Sequence, residues 1–123
     1  MDEGRALFLQ IAERIEDSIV DGSLPEETQA PSTNELAAFY RINPATAAKG
    51  VNMLVEAGVL SKRRGVGMFV AAGAREALLA RRRATFAESY LRPLLAEAAR
   101  LGLSPDEVAA LIRTDTPTEG AFS

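Results

Sequence analysis

The proline at position 44 constrains the fold most, because it separates two short helical segments. A proline disfavours α-helical geometry at the preceding residue, so Asn43 should lie outside a helix. Proline also suits the first position of a helix, for which Asn43 can serve as the N-cap. Two helices joined by about three residues cannot run antiparallel, and this spacing predicts a helix-turn-helix.

Two helices are predicted before this proline. Over residues 6–21, apolar side chains recur every four positions, at Leu7, Ile11, Ile15 and Ile19. They form one stripe of a helix, and Gly22 is a plausible end of that helix. The prolines and polar residues of positions 23–31 predict a loop. Ser32 and Glu35 have the spacing of a capping box, which predicts a second helix through Leu36, Ala37 and Tyr40.

A third helix is predicted over residues 44–57, with Gly58 as its end. Its inward positions are Ala47, Gly50 or Val51, and Leu54, and its outward positions are Ala45, Thr46, Ala48, Lys49 and Asn52. A glycine inside a helix, such as Gly50, costs about 1 kcal/mol relative to alanine. Its presence would be explained by a close helix crossing or by simple tolerance. Two β-prone runs, residues 59–63 and 68–70, flank a glycine-rich turn and predict a β-hairpin.

Beyond residue 73 the pattern is helical again. The apolar positions are Leu78, Leu79, Phe86, Tyr90, Leu91, Leu94, Leu95 and Ala98. Pro93 interrupts them and predicts a kink or a break near residues 91–92. A capping box of Ser104 and Glu107 predicts a last helix that ends near Arg113, and residues 114–123 are expected to be a disordered tail.

Charge is unevenly distributed along the 123-residue chain, whose net charge is −3. Residues 41–83 hold nine bases and two acids, which gives +7, whereas residues 1–40 sum to −7 and residues 84–123 to −3. A basic middle segment suits contact with phosphates, and chance clustering on solvated helix faces is the alternative. We interpret Arg81, Arg82 and Arg83 as a solvated helix face in preference to an extra phosphate contact.

The composition argues against several classes of function. The sequence contains no cysteine, which excludes disulfides, thiolate metal sites and a cysteine nucleophile. It contains no histidine, the commonest general base and metal ligand. We therefore expect no enzymatic activity, no cofactor and no metal site. The acidic start does not resemble a signal peptide, and no apolar run approaches the roughly 18 residues of a membrane span, so we expect a cytoplasmic protein.

Four short blocks lie in register along the chain: APSTNELA at 30–37, INPATAAK at 42–49, EAGVL at 56–60 and RGVGMFV at 64–70. Together they resemble the GntR family of bacterial transcription regulators, strongly over residues 5–70 and more loosely over residues 71–113. The Asn-Pro-Ala-Thr opening of the third helix and the brief C-terminal part resemble the YtrA subfamily. The resemblance implies a mainly α winged helix-turn-helix with a β-hairpin wing, occupying residues 1–72, and a C-terminal dimerisation region over residues 73–113.

The resemblance also implies a set of contacts with double-stranded DNA. The N-terminal turns of a recognition helix enter the major groove, the helix before it meets phosphates, and the wing reaches phosphates or the minor groove. The residues placed there are Ser32, Thr33, Asn34, Asn43, Ala45, Thr46, Lys49, Arg63, Arg64, Gly65 and Gly67. Many family members carry arginine where this chain has Asn34 and Pro44, which implies fewer charged base contacts here.

Simpler interpretations of these residues remain open. Ser32 can be an N-cap alone, and Thr46 can be an ordinary exposed helix residue. The basic run of residues 62–64 can be a strand edge that discourages aggregation. Gly65 and Gly67 can serve turn geometry alone, which is compatible with DNA binding.

About 50 residues follow the hairpin, too few to enclose a metabolite pocket within one subunit. They suffice for helices with an apolar face that a second copy would cover. We expect a homodimer held by Leu78, Phe86, Tyr90, Leu94 and Leu95, reading an inverted repeat as a repressor. An unknown small-molecule effector stays open, and the subfamily implies autoregulation and control of adjacent transporter genes. The alternative is a winged-helix protein-interaction module without DNA binding.

Overall fold

The structure, a computed structural model, describes residues 5–115. Its helices and strands are α1 Leu7–Val20, α2 Thr33–Tyr40, α3 Pro44–Glu56, β1 Leu60–Arg63, β2 Gly67–Val70, α4 Ala74–Phe86, a π-helical segment Ala87–Leu91, α5 Arg92–Arg100 and α6 Pro105–Thr114. This mainly helical chain with one antiparallel hairpin confirms the predicted fold class. The chain divides into two compact units, one ending at Arg81 and the other beginning at Arg82.

The first unit is built around the crossing of α1 and α3. The side chain of Ile11 is completely buried, and that of Val51 nearly so. Gly50 lies at the crossing, where a Cβ would come within 2.7 Å of the Phe8 carbonyl oxygen and 3.2 Å of the Ile11 side chain. Close approach of the two helices, and not simple tolerance, therefore explains this glycine.

Both helices of the helix-turn-helix begin at the predicted caps. The Ser32 hydroxyl accepts a hydrogen bond from the Glu35 N–H, and the Glu35 carboxylate accepts one from the Ser32 N–H. Asn43 caps α3, and Pro44 occupies its first turn. Between the helices, Arg41 adopts the left-handed conformation with φ of 56°. The turn is short because these caps stop one helix and start the next within three residues.

The wing consists of β1 and β2, with Leu60 opposite Val70 and Arg63 opposite Gly67. The loop between α1 and α2 adds a third strip beside β2. Its backbone hydrogen bonds include Ala30 N–H to the Met68 carbonyl at 2.8 Å and Val70 N–H to the Thr28 carbonyl at 3.0 Å. The base of the wing is therefore attached to the segment that leads into α2.

The first turns of α4 are attached to the same unit. The Glu26 carboxylate accepts hydrogen bonds from the backbone N–H groups of Gly73, at 2.8 Å, and Arg75, at 3.2 Å. Arg81 pairs with Glu16 of α1. Leu78 is 1% exposed and belongs to the buried core. Its predicted place in a dimer interface does not fit, because this side chain already packs within its own chain.

In the second unit, α5 and α6 leave little of their apolar surface buried. The helix near Pro93 neither breaks nor loses helical dihedrals, since Leu91 and Arg92 keep φ near −67° and −62°. The irregularity takes the form of the π-helical segment, in which the Arg92 N–H donates to the Ala87 carbonyl. π-Helical turns are rare and occur mostly as single turns inside α-helices. Here the turn directly precedes the part of the helix that contains Pro93, a residue without a backbone N–H.

The last helix starts at the predicted capping box, in which the Ser104 hydroxyl accepts from the Glu107 N–H at 3.1 Å. It continues through Thr114, one residue beyond the predicted end. The rest of the predicted tail, residues 116–123, lies outside the described residues.

Candidate nucleic-acid interface

The first turns of α3 present the residues predicted to face the major groove. Ala45 and Lys49 are exposed, and Thr46 is half-buried. The Asn43 side-chain oxygen accepts a hydrogen bond from the Ala45 N–H at 2.8 Å, so this amide is engaged in capping. The Lys49 ammonium lies 4.0 Å from the centroid of the Phe8 ring, a cation–π contact that orients it.

At the start of α2, the groups available to a phosphate are mainly backbone N–H groups, because the Ser32 side chain serves as a cap. The Ser32 hydroxyl is engaged with the Glu35 N–H at 3.0 Å, in agreement with its interpretation as an N-cap. The hydrogen bond from the Ser32 N–H lowers the pKa of Glu35 from its usual value, because it stabilises the ionised carboxylate. Asn34 is exposed and Thr33 is half-buried. The orientation of this helix start is thus fixed by its capping box.

The wing tip carries exposed basic groups. The Arg63 guanidinium stacks on the Phe69 ring, 3.9 Å from its centroid. A stacked guanidinium keeps its N–H edge free to meet carboxylates or phosphates. Arg64 is exposed, and Gly65 follows it with φ of 76°, a conformation that favours glycine. The tip therefore combines two arginines with a tight turn whose conformation favours glycine.

Three residues near this surface were not singled out from the sequence. Phe8 supplies the ring beneath Lys49, and Gln29 donates a hydrogen bond to the Val66 carbonyl at the wing tip. Arg41 is an exposed base in the turn between α2 and α3. Its place in the turn, two residues before the Asn43 cap of α3, was the signal that the sequence offered. The partners of Phe8 and Gln29, in contrast, lie dozens of residues away in the sequence.

In the second unit, four residues predicted to hold a partner chain are exposed. Phe86 and Tyr90 are 60% and 67% exposed, and their rings lie 5.7 Å apart. Leu94 and Leu95 are 45% and 38% exposed. Leu94 also borders an open apolar groove of about 510 Å³ between α5 and α6, whose lining includes Leu101, Val108, Leu111 and Ile112. The exposed side chains and the groove together form an apolar surface on this unit.

Over residues 5–115, no group of three or more acidic residues is placed to hold a metal ion. Within the same range, no helix has the length and hydropathy needed to span a bilayer.

Known proteins share this architecture. Residues 7–70 match the family described as bacterial regulatory proteins, gntR family. YhcF of Bacillus subtilis, described as an uncharacterized HTH-type transcriptional regulator, is 27% identical over 112 residues, covering 91% of each chain. A regulator of the GntR family from Bacteroides thetaiotaomicron has 31% sequence identity and a TM-score of 0.74, over 89% of this chain and 95% of that one.

A second similar structure contains DNA. The DNA-binding domain of AraR, in complex with operator ORR3, has 31% identity and a TM-score of 0.50, over 52% of this chain and 77% of that one. The similarity to the regulators covers nearly the full chain, and the family match covers the helix-turn-helix and the wing. From this agreement of sequence and fold we conclude that the chain belongs to the GntR family of bacterial regulatory proteins.

Proposed function

We propose that this protein is a YtrA-like, homodimeric transcription repressor that binds an inverted-repeat operator in double-stranded DNA. The observation that carries the proposal is the combination, on one core, of an exposed N-terminal end of α3 with a basic wing beside it. The similarity to a DNA-binding domain solved with its operator supports it. As a regulator of bacterial DNA, the protein would act in the cytoplasm.

The DNA contacts would be of two kinds: contacts of α2 and α3 that set the position of the protein on the duplex, and charged contacts of the wing that supply affinity. Thr46 and Lys49 are three positions apart and share one face of α3, so both can reach base edges in the major groove. Asn43 and Ser32 would act through the backbone N–H groups that their caps orient toward phosphates. The wing would supply most of the affinity through Arg64 and the stacked Arg63, because phosphate contacts dominate the electrostatic part of binding.

Dimerisation would come from the apolar surface of the second unit. Exposed aromatic and aliphatic side chains on adjacent turns are unusual in a monomer, and a second copy offers a complementary surface. Two recognition helices related by a two-fold axis read an inverted repeat. Autoregulation, control of adjacent transporter genes and a small-molecule effector follow from the subfamily resemblance and remain part of the proposal.

The test begins with selection of duplexes from a random library by the wild-type protein. We expect an inverted repeat, with binding that weakens steeply as salt increases. Thr46→Ala should relax the preference at one position of each half-site, at a cost of about 1–3 kcal/mol. Arg64→Ala should weaken binding to every duplex and reduce the salt slope by about 1 for each bound tip.

Arg14→Ala, which removes an exposed arginine from α1, is the matched control and should change neither property. The melting temperature should stay nearly constant in the Thr46 and Arg64 variants. Failure of the wild-type protein to enrich any duplex would contradict the proposal and favour the protein-interaction module.

A further inference from the structure

We propose that Gln29 is a positioning residue for DNA binding, which holds the wing tip at a fixed place relative to the start of α2. The Gln29 side-chain N–H donates to the Val66 carbonyl oxygen at 2.9 Å, across 37 residues of sequence. Val66 lies in the turn that also contains Arg64 and Gly65. The inference rests on the proposed function, because it concerns how the wing meets DNA.

The backbone around Gln29 explains why its side chain is aimed at the tip. Gln29 forms an isolated antiparallel bridge with Phe69, beside the hydrogen bond from Ala30 N–H to the Met68 carbonyl. These contacts attach the loop to β2 as far as Met68. The Gln29 amide extends the attachment beyond that point, to the carbonyl of Val66.

The glycine at position 67 is compatible with this contact. A Cβ on Gly67 would lie 2.7 Å from the Gln29 amide nitrogen, closer than such atoms approach in proteins. Its φ of 133° is also one that other residues rarely adopt. The backbone conformation of Gly67 favours glycine by itself, and the absence of a Cβ also leaves room for the Gln29 amide.

The consequence for binding follows from where Gln29 lies in the chain. Only Ala30 and Pro31 separate it from Ser32, the N-cap of α2. A rigid connection between the α2 start and the wing tip lets both meet phosphates without ordering the tip during binding. Preorganisation of this kind increases affinity because less conformational entropy is lost in the complex.

The sharpest variant is Gln29→Met, which keeps the length of the side chain and removes the N–H donor. We expect the dissociation constant for the selected duplex to rise by about three- to tenfold, the usual range for one hydrogen bond. In the absence of DNA, amide hydrogen exchange over residues 64–67 should become faster. Thr28→Val is the matched control, because the Thr28 hydroxyl donates to the Pro25 carbonyl and not to the wing.

A double-mutant cycle with Arg64→Ala separates positioning from general stability. If Gln29 acts through the tip, Gln29→Met should have little further effect on affinity once Arg64 is removed. Full additivity of the two losses, or an unchanged dissociation constant in Gln29→Met, would overturn the inference. If the wild-type protein bound no duplex, the proposed function would fail. If Gln29→Met left hydrogen exchange at the tip unchanged, the hydrogen bond from Gln29 to Val66 would not hold the tip, and the inference would fail by itself.

Discussion

The two units of this chain differ in how they bury their apolar residues. In the described part of the first, one core is formed by fifteen buried hydrophobic residues from α1, α2, α3, the hairpin, α4 and the segments that connect them. In the described part of the second, Ala98 and Val108 are the buried hydrophobic residues, whereas eight large ones from Phe86 to Ile112 are exposed. The first unit buries most of its large apolar side chains in one core, whereas the second leaves most of its large apolar side chains exposed.

The difference in burial suggests different roles for the two units. A closed core fixes the α3 start and the wing on one rigid body, as a DNA-reading surface requires. Helices with an uncovered apolar face gain stability when that face is covered, and under our proposal a second copy covers it.

The largest expected effect comes from placing a charge on the apolar surface of the second unit. Leu94→Glu should yield a monomer, because a carboxylate buried in a subunit interface is strongly unfavourable. Loss of the second half-site should weaken operator binding by about 10²–10⁴-fold. Sedimentation equilibrium and gel shifts measure the two quantities.

Ala96→Glu is the control for Leu94→Glu, because residues two positions apart point to different sides of a helix. It should leave the dimer intact. A Leu94→Glu protein that remained dimeric at micromolar concentration would show that another surface joins the subunits.

Truncation of an apolar side chain should lower the free energy of unfolding much more in the first unit than in the second. Ile11→Ala should lower the free energy of unfolding by about 2–5 kcal/mol, since Ile11 is fully buried. In a monomeric Leu94→Glu background, Ile112→Ala should cost under about 0.5 kcal/mol, because that side chain is exposed. Urea denaturation tests both, and equal losses would contradict the contrast.

Glycine substitutions should distinguish crowding from backbone strain. Gly50→Ala should destabilise the first unit by about 1–3 kcal/mol, because the new Cβ would meet the Phe8 carbonyl. Gly102→Ala in the second unit meets no neighbour and should cost about 1–2 kcal/mol, through its φ of 74° alone. Thermal unfolding compares the two. Stabilisation by Gly50→Ala, as helix propensity alone predicts, would show that the helices can separate without cost.

The smallest effect concerns the capping box of α2. The pKa of Glu35 is lowered in the folded state by the Ser32 N–H, so its ionised form contributes stability above the usual value of 4.5. That contribution is lost as the pH falls through the folded pKa. Relative to Glu35→Gln, the wild type should therefore lose its advantage on acidification. A difference in unfolding free energy that stayed constant from pH 7 to about pH 3 would exclude this linkage.

Much of the fold was predictable because its signals are local. The capping boxes at Ser32 and Ser104 depend on residues three positions apart, and the Asn43 cap with Pro44 depends on neighbours. The hairpin followed from its β-prone runs and glycines. The π-helical segment was predicted only as an irregularity near Pro93, because a proline shows where a helix is disturbed and not how it adjusts.

The sequence predicted which residues lie on the candidate DNA-binding surface, but not the side chains that hold these residues in place. Exposure of Arg64 and Ala45 follows from motif position, but the ring beneath Lys49 and the amide at the wing tip come from other segments. Pattern alone also assigned Leu78 to a dimer surface, because an apolar stripe does not reveal which neighbour covers it. These assignments required the path of the whole chain.

The sequence by itself determined where helices start and stop, where the chain turns and which segment is basic, since these depend on residues a few positions apart. Only the tertiary structure decided between two explanations of Gly50, buried Leu78 in the core and brought Gln29 to Val66. Each of these outcomes depends on contacts between distant segments. Such contacts are set by the packing of the entire core, which no local pattern specifies.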